Sequence, residues 1–212
     1  MCFSASASFT AATILAALGI GALAKSRPHQ KYLAAIPLLF GIQQASEGFL
    51  WLILNGTLAA SLQPFMMYTF LFFAFLVWPI WIPLSLFYNE SVQPRKKLLT
   101  IPLIIGALWS IGLTWLIITY GAQAQITCSH IAYTVSLPEH TSPFFSAIYL
   151  CTTVLPFFIA SDPLLWFFGC LVGGSYILTY MIWQAWLISV WCFFAAVLSA
   201  FVCFYVYKSK NR

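Results

Sequence analysis

Charge is what this sequence has least of. Nine Lys and Arg and four Asp and Glu make up 6% of its 212 residues, where a soluble domain carries roughly 25%. A water-facing globule of this length is excluded, because its surface has to be solvated. With 62% hydrophobic and 18% aromatic residues, most of the surface must meet lipid. Basic residues are also missing from positions 1–24. A secretory signal peptide opens on a positive segment, so the expectation is a retained first helix, although Ala22-Leu23-Ala24 has the look of a cleavage site. Cys2 follows no lipobox.

Further absences narrow the chemistry. There is no phosphate-binding P-loop, no G-x-S-x-G elbow and no H-E-x-x-H pair. No spacing of Ser, His and Glu argues for a catalytic triad. The last hydrophobic stretch holds no Lys, so a retinal Schiff base has no attachment point. No internal repeat is visible, which disfavours a transporter built from inverted halves.

The positive charge that exists is grouped. Lys25, Arg27 and Lys31 follow the first apolar run, Arg95, Lys96 and Lys97 the third, and Lys208, Lys210 and Arg212 the last. They flank apolar spans instead of interleaving with aromatics, which argues against nucleic acid and for anionic lipid headgroups. Cytoplasmic loops carry such an excess of Lys and Arg. Seven stretches are long enough to span a bilayer as helices: 5–24, 32–54, 62–88, 98–120, 143–160, 163–183 and 186–207. The N-terminus is then outside, and every basic cluster is inside. Pro64, Pro79 and Pro83 should bend the long third span. Residues 163–207 as one helix would measure about 65 Å, so a reversal is expected near Gln184, between the interfacial anchors Trp183 and Trp186. The expected fold class is all-α: a polytopic, single-domain bundle of seven helices in the bacterial cytoplasmic membrane, C-terminus inside.

Glu47 is the outstanding polar residue. It lies about 12 Å of helix from the outer end of the second span, and a carboxyl inside a membrane marks a functional site by default. Gln43 and Gln44 precede it by one turn on the same face, with Ser46 beside them and Trp51 continuing the face outward. The bland alternative is a carboxylic acid that joins two helices by a hydrogen bond.

Other groups belong to the same outer half. Cys192 sits about 10 Å into the seventh span. Cys2 and Ser4 stand at the N-terminus, and Cys128, His130, Tyr133, Glu139 and His140 in the external loop. Carboxylate, imidazole and thiolate together suit zinc or copper, with Cys2, Glu47, His130 and Cys192 as candidate ligands, yet no C-x-x-C or H-x-x-x-H spacing is present. Cys2 and Cys128 share the external side and could pair where it is oxidising. Cys151, Cys170 and Cys203 read as packing residues, Asp162 as a helix cap before Pro163, and His29 as part of a solvated turn. Asn55-Gly56-Thr57 matches a glycosylation sequon on the external side.

Met1-Cys-Phe-Ser-Ala5, Pro37-Leu-Leu-Phe-Gly-Ile-Gln-Gln44 leading to Glu47-Gly48, Trp78-Pro-Ile-Trp-Ile-Pro83 and Ser189-Val-Trp-Cys-Phe-Phe-Ala-Ala196 occur together. In these the chain resembles, over nearly its whole length, a bacterial family of multi-pass membrane proteins known as a domain of unknown function. The resemblance implies a bacterial membrane protein and brings no activity with it. It points to Cys2, Gln43, Gln44, Glu47, His130, Tyr133 and Cys192. The leading expectation is a binding or sensing protein with a small pocket around Glu47, formed by Gln43, Gln44, Tyr133, Trp51 and Trp191 and reached from outside. The alternatives are a membrane-embedded metalloenzyme or redox protein, a proton-coupled transporter, and a structural subunit of a larger complex.

Overall fold

The computed structural model describes residues 4–135 and 142–210. Helix α1 (Ala5–Lys25) is capped by Ser4, whose hydroxyl accepts from the Ala7 N–H. A 3-10 turn over Pro28–Gln30 and the short α2 (Lys31–Ala34) lead into α3 (Ile36–Leu54), which carries Glu47. Next come α4 (Gln63–Phe72), a π-helical turn (Phe73–Val77) and α5 (Trp78–Asn89), in one continuous helical run from Ala60 to Asn89. Helix α6 (Gln93–Tyr120) follows, then strands β1 (Ala122–Thr127) and β2 (His130–Val135). The chain closes with α7 (Ser142–Thr153), α8 (Leu155–Ile159), α9 (Pro163–Ile182), α10 (Leu187–Leu198) and α11 (Ala200–Lys210).

Among the described residues five helical stretches are long and apolar enough to cross a membrane: Ala5–Lys25, Ala60–Asn89, Gln93–Tyr120, Pro163–Ile182 and Gln184–Ser209. The chain is predominantly helical, and these helices suit a lipid bilayer. Their unpartnered faces carry large apolar side chains in the open, Leu108, Ile118 and Met181 among them, which only lipid solvates well. The expected reversal appears where Trp183 ends α9 and a 3-10 turn over Gln184–Trp186 starts the next helix. Asp162 caps α9, its Oδ1 accepting from the Leu164 N–H at 3.0 Å.

The prolines act differently from a simple bend. Pro64 opens α4, where no N–H is needed. Pro79 lies just beyond the π turn, and proline crowds the carbonyl four residues earlier. Widening the helix there relieves the clash and frees backbone carbonyls. Tyr149 of α7 donates to the Ala74 carbonyl (2.6 Å), and Ser110 of α6 to that of Leu76 (3.3 Å).

The ends of the helices gather at two poles. At one, Gln30 donates to Ser209, Asn89 to Tyr205, and the Arg95 guanidinium to the Ile159 and Ala160 carbonyls. Lys25 lies over the Tyr207 ring. The described residues of all three basic clusters therefore share this pole. The other carries the β-hairpin, which the sequence reading left as loop. Its antiparallel register pairs Ala124 with Tyr133 and Ile126 with Ile131. That face packs on Leu50, Trp51, Met67 and Phe70, and Phe70 stacks on Tyr133 at 4.7 Å. Cys128 and Ser129 turn the hairpin with φ of 49° and 62°. Two positive φ angles define the tight turn that matches strand twist, and glycine adopts them without a Cβ penalty. Ser129→Gly should stabilise the protein by about 1 kcal/mol, read as a higher midpoint of thermal unfolding in detergent.

Candidate functional site

Helix α3 is buried on most sides, and its polar residues face the bundle interior. Gln43, Gln44 and Glu47 are 0%, 0% and 2% exposed. The helical spacing that puts all three on one face is met by α10, whose Ser189 hydroxyl donates to Glu47 Oε1 at 2.5 Å. On the other side, Trp78 Nε1 donates to Gln43 Oε1 at 2.8 Å while its ring stacks on Phe40. Ser46 is buried but satisfies itself by donating to the Gln43 carbonyl.

Tyr133 and Cys192 close this group from the hairpin and from α10. Both interact electrostatically with the Glu47 carboxyl, and both belong to the packed cluster that contains Trp51. Burial pushes the Tyr133 hydroxyl well above its ordinary value of 10, and its neighbours Glu47 and Cys192 push the same way. It therefore stands as a protonated donor. Gln43, Gln44, Glu47, Trp51, Tyr133, Trp191 and Cys192, named from sequence, thus assemble in one region at the hairpin pole.

What sets this region apart is unmet hydrogen-bonding capacity. The Gln44 amide stands beside the Glu47 carboxyl, yet neither its nitrogen nor its oxygen makes a well-formed hydrogen bond. Gln43 Nε2 makes no well-formed hydrogen bond although Gln43 neighbours the Cys192 thiol, and the Tyr133 hydroxyl also lacks a partner. Each buried, unsatisfied polar group costs about 1–3 kcal/mol, and more than 90% of such groups in folded chains are satisfied.

Beside the cluster lies a cavity of about 410 Å³. It fills the wedge between α7 and the α9–α10 pair, under β2, and Tyr133, Trp191 and Cys192 line it. Its walls meet where Tyr149 and Tyr176 pack edge-on against the Trp191 ring, at 5.4 and 4.9 Å. Trp191 Nε1 is held by Ser175 Oγ at 3.2 Å. Tyr149 and Tyr176 escaped the sequence reading because aromatic residues in apolar helices give no sign of where they point.

The metal reading is only partly assembled. Glu47 and Cys192 are neighbours, but His130 stacks on Trp186 with its Nδ1 2.8 Å from the Cys128 carbonyl. Cys2, Glu139 and His140 fall outside the described residues. Among the described residues no three His, Cys, Asp or Glu come together as a metal site. Of the cysteines read as packing residues, Cys203 is buried with its thiol 3.5 Å from the Leu18 carbonyl. Cys151 and Cys170 lie on exposed faces.

A second polar group, at the basic pole, had no counterpart in the sequence reading. Glu90, only 5% exposed, accepts from the Val92 N–H (2.8 Å), the Ser161 N–H (2.7 Å) and the Ser161 hydroxyl (2.8 Å). With Asp162, Asn89, Tyr205, His29 and Lys96 it lines a polar cavity of about 430 Å³. Unlike Gln44, Glu90 is fully engaged.

The whole sequence, residues 1–212, matches one family. The chain belongs to DUF6629, a family of unknown function. No curated protein and no solved structure matches it. Function therefore has to be argued from the two poles of the bundle, and among the described residues the hairpin pole holds more of the unsatisfied groups, Asn89 Oδ1 being the one at the basic pole.

Proposed function

We propose that this member of DUF6629 is a seven-span membrane protein that binds a small ligand at the hairpin pole, in the chamber beside the Glu47 cluster. Helix α3 and the α7–α8 pair complete the seven spans. Gln43, Gln44 and Glu47 dilute the apolar character of α3, and that helix is surrounded by others, so it needs less lipid-facing surface. The gathering of Lys and Arg at the opposite pole supports an N-terminus outside and a cytoplasmic basic pole. The setting is the cytoplasmic membrane of a bacterium.

The observation that carries the reading is Gln44. A glutamine kept only to join helices would spend its amide on another helix. Here neither amide atom makes a well-formed hydrogen bond although a carboxyl stands beside them, and the cluster adjoins, through Tyr133 and Cys192, a cavity large enough for a small molecule. In this reading Glu47 and the glutamines stand behind Tyr133 and Cys192, which line the chamber, and set the polarity of that wall, while Ser189 fixes the carboxyl. The apolar layer of Phe40, Trp78, Phe157 and Phe168 lies between the two polar poles, which favours binding over a continuous proton path.

The two roles of Gln44 predict opposite effects. A nearly isosteric Gln44→Leu removes unsatisfied atoms, so the ligand-free protein should keep or raise its thermal midpoint. Ligand retained through gentle purification from native membranes, read by native mass spectrometry and elemental analysis, should be lost. A helix-joining glutamine would instead show a fall of about 1–3 kcal/mol in stability with no change in bound material, and that result would end the proposal. Glu47→Gln should keep the Ser189 contact and weaken retention.

A further inference from the structure

The chamber's lining narrows the ligand's chemistry, granted the binding site proposed above. Among the described residues no Asp, Glu, Lys or Arg lines it, so the described wall offers nothing to offset the desolvation of a charged ligand. Two of its lining residues carry buried donors without partners, the Tyr133 hydroxyl and Trp186 Nε1. Among the described residues no lining side chain presents a buried acceptor in that condition. A ligand that satisfies this wall brings acceptors. The rest of the wall is flat: Phe75, Phe145, Tyr149, Tyr176 and Trp191 suit the face or edge of a planar ring. Leu113, Leu187 and Ile188 also line it, and Met181 and Ile182 stand exposed just before the α9–α10 turn. The approach is therefore apolar.

We infer that the chamber takes a neutral, lipid-soluble ring compound bearing carbonyl acceptors, the headgroup chemistry of a membrane quinone. Its carbonyl oxygens accept from Tyr133 and Trp186. Its ring lies among the aromatic walls, and its tail leaves the wedge beside α7 toward lipid. A volume of about 410 Å³ is in the range of small-molecule sites and holds the ring with the start of a tail. Binding alone is inferred, with no redox step.

The test uses the full-length protein in lipid nanodiscs, with decylubiquinone and decylbenzene as probes. The two share a tail and differ in the carbonyl-bearing ring. Decylubiquinone should bind at least tenfold more tightly. Tyr133→Phe and Trp186→Phe should each weaken it about tenfold, the worth of one buried hydrogen bond, and leave decylbenzene unchanged. Tyr133→Phe keeps the ring that stacks on Phe70, and an unshifted thermal midpoint confirms that it is folded. Equal binding of the two probes, or no loss in either variant, overturns the inference. If decylubiquinone fails while native-membrane protein retains some other compound that Gln44→Leu releases, the ring-carbonyl inference falls and the chamber stands. If neither is found, both fall.

Discussion

Glu90→Ala should cost about 3 kcal/mol of stability at neutral pH, most of it gone in acid. The carboxylate receives three hydrogen bonds, from the Val92 N–H, the Ser161 N–H and the Ser161 hydroxyl. Bonds to a charged acceptor are worth about 1.5–3 kcal/mol each when buried, and the nearby water of an open cavity reduces that. Alanine also strands donors at two chain turns, the one leaving α5 and the one between α8 and α9. Burial by itself would raise the carboxyl's pKa. The hydrogen bonds from Val92, from Ser161 and from the Ser91 N–H outweigh it, so Glu90 titrates below its ordinary 4.5. A depressed folded-state value stabilises the protein fully above about pH 4.5 and loses that contribution as pH falls through the folded value. The gap in unfolding free energy between the natural protein and Glu90→Gln should thus be flat from pH 8 to about 5 and close below 4. His29, Lys96, Asp162 and Tyr205 share the cavity, so the comparison is best repeated on a His29→Gln background. A gap that persists unchanged at pH 3 would show that shape, not charge, holds this corner.

That corner also marks how far the sequence could be read. Helix positions were legible because apolar length answers directly to bilayer thickness. Gln184 fell at the turn for the same reason: a helix through it is too long for a membrane. Glu47 stood out because a carboxyl in an apolar run is costly wherever it points, and one turn of spacing placed Gln43 and Gln44 beside it. Glu90 gave no such signal. A glutamate in a turn beside Arg95 and Lys96 reads as solvated, and only the fold reveals that the α8–α9 turn closes over it. The hairpin was half legible. Ala122 to Thr127 and His130 to Val135 alternate with period two, but Cys128-Ser129 lacks the Asn-Gly chemistry that announces a two-residue turn. Tyr133 could be placed on the external side but not against Phe70, since pairing across the bundle depends on contacts distant in sequence. The π turn was foreshadowed only by Pro79.

A methyl group at Gly106 should be the most damaging small change in the protein. A Cβ there would meet the Pro79 carbonyl oxygen at 2.0 Å and its carbon at 2.8 Å. These are backbone atoms of α5, so no rotamer change relieves the clash and the helices must part. The sequence explains why α6 comes so close. The Pro79 carbonyl would ordinarily accept from the N–H of residue 83, and residue 83 is proline. That side of α5 therefore presents a carbonyl without its helical donor, and a glycine on α6 lets the backbones approach. One turn further, Ser110 donates to the Leu76 carbonyl in the π turn, and Leu113 reaches the chamber. Gly106→Ala should lower stability by about 3 kcal/mol or more, at the severe end for overpacking. Gly106→Leu should fail to accumulate as folded protein. Gly112 is the internal control, because nothing lies within 4 Å of a Cβ placed there. Gly112→Ala should be neutral or gain up to about 1 kcal/mol from helix propensity. Equal thermal midpoints for the two alanine variants would refute the close approach of α5 and α6. A fall confined to Gly106→Ala, with weaker ligand retention in the protein that survives, would place the α5–α6 contact beneath the chamber wall formed by Ala74 and Phe75. The proline segment would then be what sets the shape of the site.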